Sequence, residues 1–565
     1  MPASTAVMRR GMPAFFLIAF AAAGLSLGAC SSSSGPDGGP LDADAGAVDG
    51  GQDGAAGDDG GGADGGLDGA DGTPGDEGPD GDGGADAGAD DGTEAFALEL
   101  IGPPGWQRGP VRLAFTAFGP AGFEADVSLA WSADGTGFAP ATALAGTLVD
   151  ARDLPLAPAG TAGRLVWDSK ADLAGDQPEV WLRASLRVAG AVEAAAEVGP
   201  FALHNDPDRT RLVVVAHPNA TGPQGQAVPG DRASVLELAA DGSLADTGLD
   251  VDCGIGPARA AFTADGRHLV VLGEGEGHNH HNLTSFAVAA DGGLSPLGDT
   301  IELYDLGLSA TDLQPAPDGS GIWMVHYTGE GGLFFLSLAD GLAELIPAGG
   351  GGQHRLDITL PSAMDWLPDG RHALVAGGAL AGDEPAYDAL VVDMRSLAIV
   401  DRSAIGLIML SEEVAVSPDG SRALMPSGDY GEQGRLWTVA LDGPTIGAAQ
   451  AIDLDDPPAK VAIHPAGGAA LLTCWYPGSV LVLDLDSMPA AVVETYSGIG
   501  LADHIACVQE GGLAGLCLVD SVSAATGVSA LVPIQLYSDG SSQRGADFAF
   551  GDGYDAMISG QAIQP

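Results

Sequence analysis

The stretch EVAVSPDGSRALMPS, residues 413–427, holds the unit from which most of this chain is built. A short apolar strand, EVAVS, runs into Pro418-Asp419-Gly420, and a second apolar strand follows. Proline presets φ, the aspartate side chain caps the turn, and glycine supplies the positive φ of a tight hairpin. The pattern recurs as TADGRHLVVLG (Asp265), APDGSGIWMVH (Asp318), LPDGRHALVAG (Asp369) and HPAGGAALLTC (Ala466). Degenerate copies stand near Asp208 (DPDRTRLVVVAHP) and Gly511 (QEGGLAGLCLV), and successive turns lie roughly 45 to 57 residues apart. After each second strand come a variable loop and a third strand: SVLEL, LTSFAV, GLFFLSL, ALVVDM, RLWTVAL, SVLVLDL and SALVPIQL. With an outer strand added, each repeat makes one four-stranded antiparallel sheet. Seven such sheets set radially close into a β-propeller that buries their edges. Residues 206–565 are therefore expected to form a seven-bladed β-propeller. Its first repeat lacks a clear inner strand, so ADFAFGDGYDAMISGQAI, residues 546–563, is expected to supply it and close the ring.

Upstream, residues 96–205 carry short alternating strands between Gly/Pro turns: ALELIG, VRLAFTAFG, DVSLAWSADG, RLVWDSKADL, EVWLRASLRVAG and FALHND. Period-two alternation puts one face in a core and one in solvent. Six or so strands of this kind predict a β-sandwich. The fold class is thus all-β, a sandwich followed by a propeller. The segments SLAWSADGTGF and LVWDSKADL…VWLRASL resemble fibronectin-III/immunoglobulin-like modules of bacterial surface proteins, which implies core positions for Trp131 and Trp167.

Residues 1–29 have the proportions of a signal peptide: Arg9 and Arg10, then an apolar run from Phe15 to Leu27, then small residues. Leu27-Gly28-Ala29-Cys30 resembles the lipobox of bacterial lipoproteins. That likeness implies cleavage before Cys30 and lipidation of its thiol, with the membrane reached through the anchor. Residues 31–95 hold 18 acids and no Lys or Arg among Gly, Ala and Ser. Such a segment cannot bury enough apolar surface to offset ordering entropy, so 30–95 is expected to be a disordered, self-repelling tether. The expected location is the outer membrane or cell surface.

The whole chain carries a formal net charge of −55, which excludes nucleic acid as a partner. Cys507 and Cys517 flank a hairpin turn, and either a cross-strand disulfide or two buried thiols suits an exported chain. Cys253 and Cys474 have no evident partners.

One loop looks chemical. In GEGEGHNHHN, residues 273–282, His278, His280 and His281 stand with Glu274 and Glu276. Imidazole and carboxylate suit zinc, copper or nickel, and a solvated loop is the alternative. In a propeller this loop shares a face with His217, His326, His354 and His504, whereas His268, His372 and His464 adjoin the opposite turns. The aspartates of the tether, such as Asp80, Asp82 and Asp86, match calcium-loop spacing only in part. A divalent metal, zinc or calcium, is the one cofactor these residues suggest.

SPDGSRAL followed by VLVLDLDS resembles the YVTN/NHL-like surface propellers. GPARAAFTADGRHLVVLGEG…LTSFAVAADGGLSPLG is similar to the lactonase (6-phosphogluconolactonase-like) family over one to two blades. That similarity implies lactone hydrolysis at the axial face, with Arg259 and Glu274 at family positions; the histidine of the family's Arg-His pair is replaced by Ala260. The expectation is a lipid-anchored, non-enzymatic, monomeric propeller that presents a face to a protein or small-molecule ligand. The alternative is a lactonase-like hydrolase. Convergent acids, bases and arginine in an axial pocket would mark an enzyme, and a broad plateau a binder.

Overall fold

The computed structural model describes residues 96–565 apart from 104–105, 146–151, 222–226, 275–280, 307, 327–331, 339–342, 348–353, 356–358, 382–383, 406–412, 429–433, 476–477, 523–528 and 551–559. The leader, Cys30, the tether, His278 and His280 lie outside the described residues. Among the described residues no helix is long and apolar enough to cross a membrane.

The first described part is a β-sandwich. One sheet joins Ala97–Ile101, Pro110–Phe118 and Thr161–Asp168; the other centres on Glu124–Ser132, Gly175–Val188 and Ala191–Asn205. The last strand is longer than its FALHND core because Ala191–Val198 continues the pairing. Val111, Leu113 and Trp167 of one sheet pack on Val180, Leu182 and Leu203 of the other. Trp167 is fully buried and stacks on Trp131 at 6.2 Å between ring centroids. Its indole N–H donates to Asp172 Oδ2 at 2.6 Å, which satisfies the one polar atom that burial would strand.

Seven sheets follow, each ordered from inner to outer strand. The inner strands of blades 2 to 7 are Pro257–Phe262, Ala310–Pro315, Thr359–Trp366, Ala415–Val416, Pro458–Ile463 and Ile505–Cys507. Blade 1 takes its inner strand from Gln561–Ile563, which pairs antiparallel with Val213–Val215. Each inner strand lies beside the inner strands of two neighbouring blades, so the ring closes.

The hairpin turns form as their residues dictate. Asp265, Asp318, Asp369 and Asp419 each accept a hydrogen bond through Oδ1 from the backbone N–H two residues on, at 2.9–3.0 Å. Gly266 and Gly420 follow with φ of 66° and 68°, values a side chain would strain.

Second strands such as HLVVLG and AALLTC are buried throughout, whereas outer strands such as AVVETYS are mostly exposed. The reason is that the blades pack face to face. Leu374 and Val391 of blade 4 meet Met425 and Val439 of blade 5, and equivalent clusters fill the gaps between the other blades. Each fully buried aliphatic side chain contributes about 1.5–3 kcal/mol. Cys253 and Cys474 are buried free thiols in these seams. Cys507 and Cys517, opposite each other in blade 7, form a disulfide.

The sandwich docks on the Asp-Gly turn face. Glu510, in the turn of blade 7, meets Lys170 Nζ at 2.7 Å and Arg108 Nη2 at 3.4 Å from the sandwich, and Arg211 Nη2 of blade 1 at 3.8 Å. Arg267, in the turn of blade 2, donates to Gln107 Oε1 at 3.2 Å. Burial pulls the Arg108 guanidinium down to about 10, against the opposing pull of Glu510. This contact leaves the other end of the ring open.

Candidate functional site

Each blade closes its first hairpin with one backbone bond. The donors are Gln564, Thr263, Ala316, Leu367, Ser417, His464 and Val508 for blades 1 to 7. Four residues upstream of these donors stand seven equivalent positions: Gly560, Arg259, Asp312, Ala363, Glu413, Lys460 and His504. They lie about 13 Å along the strand from the turns, at the open end of the ring. In blades 2, 3, 4 and 6 the pairing register shifts at or beside this position. A bulge re-aims the side chain and interrupts pairing where a site needs free geometry.

Six of the seven, all except Ala363, line one cavity of about 130 Å³, together with Gln314, Gln561 and neighbouring backbone. Arg259 Nη1 stands 3.7 Å from Asp312 Oδ1, and Lys460 Nζ stands 3.3 Å from Glu413 Oε2. Lys460 is almost fully buried, with 3% of its side chain exposed, whereas Arg259 and Glu413 keep about a fifth.

Several carboxyl groups are held above their ordinary range. Burial pushes Glu413 up to about 7, with Asp312 adding to the effect and Lys460 and Arg259 opposing it. Asp365, one layer below, is likewise pushed to about 7 by burial. It accepts from Trp366 N–H at 2.8 Å and, across the blade boundary, from Val416 N–H at 2.7 Å. Asp312 makes the same staple one blade earlier, taking Leu313 N–H at 2.9 Å and Met364 N–H at 3.0 Å. It therefore serves both the cavity and the seam.

His504 is positioned from behind. Asp520 Oδ1 accepts from the N–H groups of Asp503 and His504 at 2.8 and 2.6 Å. Asp503 Oδ1 accepts from Trp475 Nε1 at 2.6 Å, and its Oδ2 stands 3.4 Å from His504 Nε2. Burial raises both acids, and the charge of Asp503 adds to the rise at Asp520.

The residues singled out in the sequence fall unevenly around this cavity. Arg259 lines it. Glu274 is exposed at the end of its strand, outside the lining, and the acid beside Arg259 is Asp312 of the neighbouring blade. His281 is buried, with Nε2 3.1 Å from Ser309 Oγ. His217 and His326 are buried too; His217 Nε2 bonds Ser234 Oγ at 2.9 Å. Among the described residues no three His, Cys, Asp or Glu are grouped to share a metal ion. Sequence reasoning misses Asp312, Glu413 and Lys460. A signal exists: each stands six residues before the turn aspartate or its equivalent, as Arg259 does.

No family model matches the chain. No curated protein matches it. Solved structures share its outline. A protein named as a 6-phosphogluconolactonase from Bacteroides fragilis is 14% identical, with a TM-score of 0.46 over 63% of this chain and 98% of that one. A protein of the same name from Bacteroides uniformis gives 14%, 0.43, 63% and 99%. One of unknown function from Desulfotomaculum acetoxidans gives 12%, 0.42, 62% and 98%. No activity passes to this chain from likenesses at this level.

Proposed function

We propose that this chain is an exported, lipid-anchored, monomeric propeller protein whose axial cavity binds a small polar molecule. The observation that carries the binding site is the ring of equivalent positions, which sets Arg259, Asp312, Glu413, Lys460 and His504 about one cavity. Structural repeats need no such charges at their axis, and burying them costs stability unless they serve a ligand. The fibronectin-III/immunoglobulin-like likeness of the sandwich suits a rigid mount, and the acidic tether a spacer above the membrane. The lipobox-like Leu27-Gly28-Ala29-Cys30 supports the anchor. Changing Cys30 to Ala is expected to move the protein from the membrane to the soluble fraction; unchanged partitioning overturns the anchor.

A second reading is lactone hydrolysis, and a specific observation favours it. Glu413, held near 7 beside a lysine and within the field of Arg259, suits a general base. Its carboxylate would take a proton from water as the oxygen adds to the lactone carbonyl. Arg259 would stabilise the oxyanion, and as it collapses the ring C–O bond would break while Glu413 returns its proton to the leaving ring oxygen, giving a hydroxy acid. Titration of the full chain with sugar acids, lactones, polyols and amino acids separates the readings. Arg259→Ala is expected to weaken binding at least about tenfold. Base-titrated turnover of a lactone, lost in Glu413→Gln, establishes the hydrolase. Binding that both variants retain unchanged overturns the cavity as the site.

A further inference from the structure

The charges of the ring are segregated. Taking the inner strands in order round the axis, Lys460, His504, Gly560 and Arg259 are consecutive, in blades 6, 7, 1 and 2. Asp312, Ala363 and Glu413 are consecutive, in blades 3, 4 and 5. Of the residues lining the cavity, one arc therefore carries the cations, with Asp503 behind His504, and the other the carboxylates Asp312 and Glu413. Each arc has a residue with little or no side chain, Gly560 or Ala363, between its charged members. The space of about 130 Å³ is close to the ~150 Å³ that admits a benzene molecule, so it fits a solute of roughly six heavy atoms.

Gln561, 7% exposed, lines the cavity. Its Nε2 donates to Leu518 O, which fixes the orientation of the amide. Its buried Oε1 has no hydrogen-bond partner among the described residues. That oxygen has no surface open to the cavity, so a ligand seated there does not reach it.

We propose that the axial cavity binds a small zwitterion, an α-amino acid of about six heavy atoms, with its carboxylate on the Lys460–Arg259 arc and its ammonium on the Asp312–Glu413 arc. This rests on the reading of the cavity as a ligand site. A lone anion would face Asp312 and Glu413, and a lone cation would face Arg259 and Lys460. A neutral sugar ring would find no aromatic face to stack on among the described lining residues, which include no Trp, Tyr or Phe. The zwitterion alone meets both arcs.

Calorimetric titration of the full chain with L-serine, L-alanine, glycolate and ethanolamine tests this. Serine and alanine, both zwitterions, are expected to bind with similar affinity. Glycolate and ethanolamine, each lacking one charge, are expected to bind about a hundredfold weaker or not at all. Arg259→Ala is expected to bring serine down toward the affinity of ethanolamine, a readout that loss of packing alone does not produce. Glycolate binding as well as serine overturns the zwitterion. Sugar acids or lactones binding while amino acids do not overturns it as well and leaves the cavity site standing. Binding of none of these overturns both.

Discussion

Ending the chain at Gly560 unfolds the propeller. The five residues removed include the whole inner strand of blade 1, Gln561–Ile563, which pairs with Val213–Val215. Gln564 adds a backbone bond to Leu212 O and a side-chain bond to Gly266 O, both at 2.8 Å, the second tying blade 1 to the turn of blade 2. Ala562 packs between blades 1 and 2, and Ile563 against the cluster between blades 7 and 1. Without the strand, the backbone of Val213–Val215 loses its partners and two seams open to water. Unmade buried backbone bonds cost about 1–3 kcal/mol each, so the total loss is on the order of 5 kcal/mol or more. Differential scanning calorimetry is expected to show the thermal midpoint falling by roughly 10 °C, or no folded protein at all. A midpoint within a degree or two of the intact chain overturns the closure.

Replacing Glu510 with Ala uncouples the sandwich from the propeller. Glu510 is the shared counter-charge of Arg108, Lys170 and Arg211, and the side chains of Arg108 and Arg211 are only 2% and 1% exposed. A buried cation left without its partner costs about 3–5 kcal/mol. The Glu510→Ala protein can relieve that cost by letting water in between the two parts. The expected thermogram is therefore one transition in the parent and two in the variant, with Glu510→Gln between them because its amide oxygen still accepts hydrogen bonds. A single, unshifted transition in Glu510→Ala removes the glutamate from its place at the junction.

Much of this architecture is legible in the amino-acid sequence, because the information is local. Pro418-Asp419-Gly420 specifies its turn from adjacent residues, and burial on both faces makes the following strands near-continuously apolar. Trp131 and Trp167 stand in alternating strands, and the alternation points them at the sandwich core. The site is less legible because it is assembled from one residue per blade. Asp312, Glu413 and Lys460 each look like a solitary charge in an apolar strand, and only registering the repeats on their turns shows that they share a level. Glu274 matches a family position, yet Asp312, reached across a blade boundary, is the acid beside Arg259. Glu510 sits in the most degenerate turn, where the Asp-Gly signature has faded to Glu-Gly. Nothing in that short stretch announces that three cations from two domains converge on it.

The pairing of Gln561–Ile563 with Val213–Val215 also sets a timetable. The two halves of one blade are separated in the chain by all six of the others. Until that last strand arrives, the folding domain is an open crescent with two raw sheet edges, each able to recruit a foreign strand. Blades 2 to 7 can form in order before it, but none of them ends the exposure. The domain therefore depends on whatever shields those edges until the last strand arrives.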